Sequence, residues 1–316
     1  MSGHVFRLRC VYRAWRGAIG LATAAIVLWP SAGFACACGC AVFDVGTSTL
    51  LPSGPGGTVF FEWDFLDQTT NWSRSGSAPS TDNDDKEIRS NFFLAGGQYM
   101  FNESWGTMVE VPFAERYFRT EAEDNPGSFH HVALGDVRLM GVYSGFFPDM
   151  STGIVFGLKL PTGDHTYRNF DPDTEIGTGS TDVLLGGYHR GNLTITGSWS
   201  YFAQLLWQHE IATQDHYRPG AELNTAAGVS YNGFRIGKIG VAPILQLLVS
   251  NRERDGGAAG DPDNTGYTRL LVSPGVGVSY NAWKLYSDVE VPVYQYVNGN
   301  QLIAPWALKV IASYNF

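Results

Sequence analysis

The chain has 316 residues, of which 38 are glycine, 14% are aromatic and only 16% are charged, against about 7% glycine and about 25% charged residues in ordinary proteins. Hydrophobic residues reach 44%, yet beyond residue 35 no apolar run approaches the ~20 residues that a membrane helix needs. Collagen, disorder and helical membrane bundles are excluded, and a formal charge of −9 speaks against nucleic acid as a partner.

Residues 1–35 read as a secretory signal peptide: Arg7, Arg9, Arg13 and Arg16 are followed by the apolar run 18–29 and by small residues. Cleavage after Ala35 uses Gly33 and Ala35, cleavage after Ala37 uses Ala35 and Ala37, and both stay open. Removing the four leader arginines from the 21 basic residues leaves a mature balance of −13 against 30 acids. Residues 36–56 form a cysteine-containing N-terminal segment. Cys10 lies in the leader, so Cys36, Cys38 and Cys40 of CACGC have no other thiol to pair with. Adjacent C-x-C disulfides are strained, and three thiolates on a glycine-containing stretch suit a soft ion such as Cu(I) or Zn(II). A single local disulfide and a lipidated Cys36 are the alternatives. No other cofactor is expected.

From residue 57 to the end the pattern alternates with period two, which places successive side chains on opposite faces of strands. Twelve segments follow in order: 58–66, 88–101, 105–117, 132–145, 153–161, 180–189, 193–211, 222–231, 238–254, 268–280, 283–296 and 301–316. The first sets Val59, Phe61, Trp63 and Phe65 against Phe60, Glu62 and Asp64. The ninth sets Ile239, Val241, Leu245, Leu247 and Val249 against Gln246, Ser250, Arg252 and Arg254. The last places Leu302, Ala304, Trp306, Leu308, Val310, Ala312, Tyr314 and Phe316 on one face. A terminal phenylalanine with tyrosine two positions earlier resembles the C-terminal signature of bacterial outer-membrane barrels, which implies delivery through the barrel-assembly machinery.

The gaps alternate in length. Gaps at 102–104, 147–150, 191–192, 232–233 and 281–282 are short, whereas 68–85, 119–131, 162–179, 213–220 and 255–266 are long and polar, with 298–300 the brief exception. Short turns on one rim and long loops on the other are the habit of transmembrane β-barrels. The expectation is an all-β, closed antiparallel barrel of about twelve strands in the Gram-negative outer membrane. Both termini then fall on the periplasmic rim, and the barrel is monomeric. Closure satisfies every strand edge, as hydrocarbon demands. A soluble sandwich explains neither the terminal Phe316 nor the one-sided loops.

Leu134-Gly135-Asp136, then LKLPTGD at 158–164 and GTGSTD at 177–182, are similar to the central pattern of a family of outer-membrane transporters named for the meta-pathway of phenol degradation. The resemblance covers 132–188 and implies a barrel that passes aromatic or other hydrophobic small molecules. The residues themselves read as structural: Pro161 ends a strand, Thr162-Gly163-Asp164 supplies turn chemistry, and Lys159 and Asp182 meet across adjacent strands.

Twelve strands give a bore between the filled eight-stranded interior and the wide sixteen-stranded channel. The lumen path is assigned to Glu62, Asp64, Glu110, Arg138, Lys159, Asp182, Arg252, Arg254, Arg269, Lys284 and Glu290. Charges of both signs orient a dipolar solute, or else pair across the lumen and keep its interior polar. Arg252, Arg254 and Arg269 gather near the long-loop end, where they attract a carboxylate or phenolate. Passive passage of a small aromatic or apolar solute is the reading adopted, and catalysis is not expected. The alternatives are a metal-linked conduit or sensor using CACGC, with His130, His131, His165 and His216 in the long loops, and a lipid hydrolase built on His209.

Overall fold

The computed structural model describes residues 50–316 apart from Ser53 and Asp124. The leader and Cys36, Cys38 and Cys40 lie outside the described residues. The chain forms a closed antiparallel barrel of 12 strands. They are β1 (Gly56–Gln68), β2 (Asp85–Met100), β3 (Trp105–Thr120), β4 in two pieces (Gly127–Leu134 and Arg138–Tyr143), β5 (Thr152–Lys159), β6 (Ser180–Asn192), β7 (Trp199–Thr213), β8 (Glu222–Tyr231), β9 (Ile239–Arg252), β10 (Tyr267–Tyr280), β11 (Trp283–Ile303) and β12 (Ala307–Asn315). Each pairs with its sequence neighbour, and β1 closes the ring on β12 from Thr58↔Asn315 to Leu66↔Ala307.

Closure is tight at the final residue. Gly57 and Phe316 exchange backbone hydrogen bonds of 2.9 Å in both directions. The Phe316 ring lies where a Cβ on Gly57 would stand, 2.2 Å from its Cζ. A side chain there would push out the ring that seals the seam.

The alternation governs the wall. Val59, Phe61, Leu205, Leu245 and Leu247 face outward and remain about half exposed. Phe60, Glu62, Asp64 and Leu66 on β1 point inward and are buried. An apolar band this extensive is stable only where hydrocarbon replaces water. Aromatic pairs ring the short-turn rim: Trp105–Tyr143 at 4.7 Å, Trp199–Tyr231 at 5.1 Å and Trp283–Tyr314 at 4.9 Å. Such rings suit the boundary between headgroups and acyl chains.

Four expectations are corrected. The seventh segment does not begin at 193: residues 193–198 form the turn and Ile195 is fully exposed. The fourth segment breaks at 135–137, because Asp136 uses its carboxylate to bind loop amides. Part of the expected loop 119–131 is strand, since Gly127–Leu134 extends the ladder with β3. Leu302 is not lipid-facing. The chain turns at Gly299 (φ 64), residues 300–303 pair with 70–73, and Leu302 packs inward against Ile88, Phe118 and Phe170.

Candidate functional site

The 158–164 and 177–182 stretches meet Gly135-Asp136 in one clasp at the long-loop end of the lumen. Asp136 Oδ1 accepts the Gly163 N–H at 3.0 Å, and its Oδ2 accepts the Thr178 N–H at 2.9 Å and hydroxyl at 2.7 Å. Gly163 and Gly177 touch backbone to backbone; a Cβ on Gly177 would lie 2.5 Å from the Gly163 carbonyl carbon. Lys159 is held by Asp182 at 2.8 Å, Asp136 at 3.5 Å, and the hydroxyls of Thr178 at 2.6 Å and Ser180 at 3.1 Å. Arg116 donates to the carbonyls of Thr174 and Glu175 and to Ser90 Oγ, tying the 160–179 loop down as a roof. Glu175 sits in that roof with Oε2 buried and lacking a hydrogen-bond partner. Burial, with Asp164 nearby, pushes its carboxyl up to about 8, and burial together with Asp255 pushes Asp173 up to about 7.

Beneath the roof the lumen divides into two cavities. The upper, about 170 Å³, is lined by Asp64, Arg116, Asp136, Arg138, Lys159, Glu222 and Arg252 together with Phe92, Leu94 and Pro112. The lower, about 80 Å³, is lined by Met108, Met140, Val142, Val155, Tyr188 and Leu206, with Gln98, Glu110 and Gln204 as its polar groups. Arg138 of the upper cavity and Glu110 of the lower pair at 3.6 Å, so this contact lies where the two meet. Of the methionines, Met108 and Met140 line this cavity, while Met100 and Met150 pack with its lining residues Val142 and Tyr188; Met108 and Val155 pack against both that cluster and the one that holds Met140. Leu50, Leu51 and Pro52, just upstream of β1, form part of the lower lining.

On the opposite wall Lys309 bonds Glu62 at 2.9 Å and Asp64 at 3.4 Å. Asp288 accepts from Ser273, from Tyr286 at 2.8 Å and from Gln246 at 2.8 Å. Glu290 is buried beside Arg269, Gln68 and Trp306 around a side cavity of about 30 Å³, where the β11–β12 ladder stops at Glu290↔Ala307. Lys284 is half-buried near the short-turn rim, level with Ser279 and Ser313.

The three outer arginines do not form one cluster. Arg252 is buried against Asp255 at 2.8 Å and Tyr217. Arg254 leaves the wall altogether: it is exposed and donates to Asn298 Oδ1 at 2.7 Å. Arg269 lies over the Tyr267 ring at 4.0 Å. The strand ends at Arg252, so the alternation that assigned Arg254 to the lumen no longer applies there.

The loop histidines are dispersed. His130 meets Glu115, His131 meets Asp164 and stacks on Tyr167, and His165 meets Asp215. Among the described residues no three His, Cys, Asp or Glu are gathered as metal ligands. His209 stacks on Trp207 and approaches Glu210 at 3.3 Å; no hydroxyl nucleophile is bonded to it among the described residues. The loop aromatics Trp72, Tyr167, Phe170 and Tyr217 are occupied with packing or with Asp255. The methionine-lined cavity escaped the sequence reading. Its one legible signal was the confinement of methionine, Met1 apart, to 100–150.

No protein-family model matches the chain, and no curated protein sequence matches it. Solved structures do. An outer-membrane channel from Pseudomonas putida F1 superposes with a TM-score of 0.66 at 10% identity, covering 86% of this chain and 100% of that one. The beta domain of the Bordetella autotransporter BrkA gives a TM-score of 0.52 at 12% identity, covering 83% and 100%. At such identities the likeness is one of fold, and the fold is that of outer-membrane β-barrels.

Proposed function

We propose that the chain is an outer-membrane channel for the passive passage of small, uncharged, aromatic or otherwise hydrophobic molecules, with its short turns and both termini on the periplasmic side. The observation that carries this reading is the apolar lower cavity. A membrane barrel needs grease outside, where lipid is the solvent; inside, a water-filled pore is polar. Here Met108, Met140, Val142, Val155 and Leu206 line the inside as well. Methionine is flexible and polarisable, and it favours contact with aromatic rings. The charged belt above is largely neutralised in pairs, which disfavours free ions while leaving an uncharged solute indifferent to the field. The fold shared with an outer-membrane channel supports the same reading.

The test is solute entry into vesicles whose outer leaflet is lipopolysaccharide, with the purified full-length chain inserted. Toluene entry is expected to rise at least about threefold over protein-free vesicles, while glutamate entry stays at background, because the bore is filled rather than aqueous. Equal toluene entry with and without protein sinks the proposal.

A further inference from the structure

We propose that the lower cavity is a binding site for a small uncharged molecule that carries a hydroxyl group on an apolar body, held by Gln204 and Gln98. The inference rests on the channel reading and narrows it to a solute class.

Two orphaned amide atoms motivate the assignment. Gln204 is 8% exposed and its Nε2 is buried with no hydrogen-bond partner; Gln98 is 7% exposed and its Oε1 is in the same state. Both side chains line the same cavity of about 80 Å³. A buried amide that makes no hydrogen bond is a standing cost to the fold, and such groups are rare unless something completes them. A hydroxyl carries the complement of each, an oxygen that accepts from Gln204 Nε2 and a proton for Gln98 Oε1. An ion is a poor candidate: Glu110, the one acidic or basic side chain of the lining, already faces Arg138, Tyr188 donates its hydroxyl to the Met150 carbonyl, and Met108, Met140, Val142, Val155 and Leu206 offer a charge no solvation. A pure hydrocarbon fits the apolar wall but leaves both amides unsatisfied, so a hydroxyl-bearing guest is held more tightly.

The walls are suited to admit such a guest. Met108 and Met140 reach into the space on unbranched side chains that change rotamer at little cost. The ceiling is the Glu110–Arg138 contact at 3.6 Å, longer than the Lys159–Asp182 and Lys309–Glu62 contacts of 2.8 and 2.9 Å. The floor is Leu50, Leu51 and Pro52.

The experiment is calorimetric titration of the full-length protein in nonionic detergent with benzyl alcohol and with toluene, a pair differing by one hydroxyl. Wild type is expected to bind benzyl alcohol. Gln204→Leu is expected to weaken that binding by about tenfold or more, as loss of a specific buried hydrogen bond does, while toluene binding is unchanged or tighter. Gln98→Met is expected to act in the same direction. Both replacements remove an unsatisfied amide, so heat-modifiable gel mobility and thermal stability should be retained or improved; a scaffold role for the amides would lower them. Absence of benzyl alcohol binding by wild type, or equal loss of both ligands in Gln204→Leu, overturns the assignment, and ordered water is then what completes the amides. Toluene entry into vesicles in the face of that result would leave the channel reading standing. Benzyl alcohol binding without toluene entry would do the reverse.

Discussion

The upper and lower halves of the lumen are built from the same strands and solve opposite problems. In the upper half, the clasp is locked: Lys159 has two carboxylates and two hydroxyls, and Asp136 accepts three hydrogen bonds from the roof loop. In the lower half, flexible methionines surround two amides with unmet hydrogen bonds. The difference teaches where adaptability resides. A buried ion pair loses much when either partner is removed or displaced, so the upper half fixes geometry. Dispersion contacts of methionine can be exchanged one for another, so the lower half can reshape around a guest.

The comparison breaks most visibly at Lys159. Lys159→Met leaves Asp136 and Asp182 buried without their cation and is expected to destabilise the barrel by about 3–5 kcal/mol, read by urea unfolding in lipid vesicles. Arg116→Ala comes next. It frees the roof carbonyls of Thr174 and Glu175 and is expected to cost roughly 2–3 kcal/mol, with protease cleavage appearing within 160–179 before the barrel itself unfolds.

A pH series sharpens the contrast further. Glu175 has its carboxyl raised from 4.5 to about 8 in the folded protein, so the unfolded chain releases that proton first. Stability of the roof therefore falls as pH climbs from about 4.5 to about 8 and is level above that. Asp173, raised from 3.8 to about 7, adds a slope of the same sign that ends sooner. Glu175→Gln should make that fall shallower while leaving the share that Asp173 contributes; a protease-resistance profile identical to wild type would count against a buried neutral Glu175. The smallest effect is expected at Met140→Leu, a near volume-conserving exchange worth less than about 1.5 kcal/mol. A larger loss, measured by the same unfolding, would show that the lower wall is as rigidly specified as the clasp.

Much of the barrel was legible because strand alternation is a local property. Val59, Phe61, Trp63 and Phe65 declare their face within nine residues, and the lipid band repeats that declaration around the ring. The errors fell where local pattern and long-range contact disagree. Arg254 continues the alternation of β9 on paper but lies beyond the strand end, and Leu302 alternates with the lipid face yet turns inward after Gly299. The clasp was half legible: the Lys159–Asp182 contact follows from adjacent strands, whereas Asp136 and the Gly163–Gly177 contact join stretches that only loop closure brings together.

The sequence by itself determined the strand count, the greasy and wet faces and the alternation of short and long connections, because a two-residue period and turn chemistry act over a few bonds. Tertiary structure decided which inward residues meet, that Met108 and Met140 converge with Leu50 and Leu51 on one cavity, and that Gln98 and Gln204 share it. Those neighbours are fixed by the register of twelve strands closing on one another, and no stretch of chain carries that information alone.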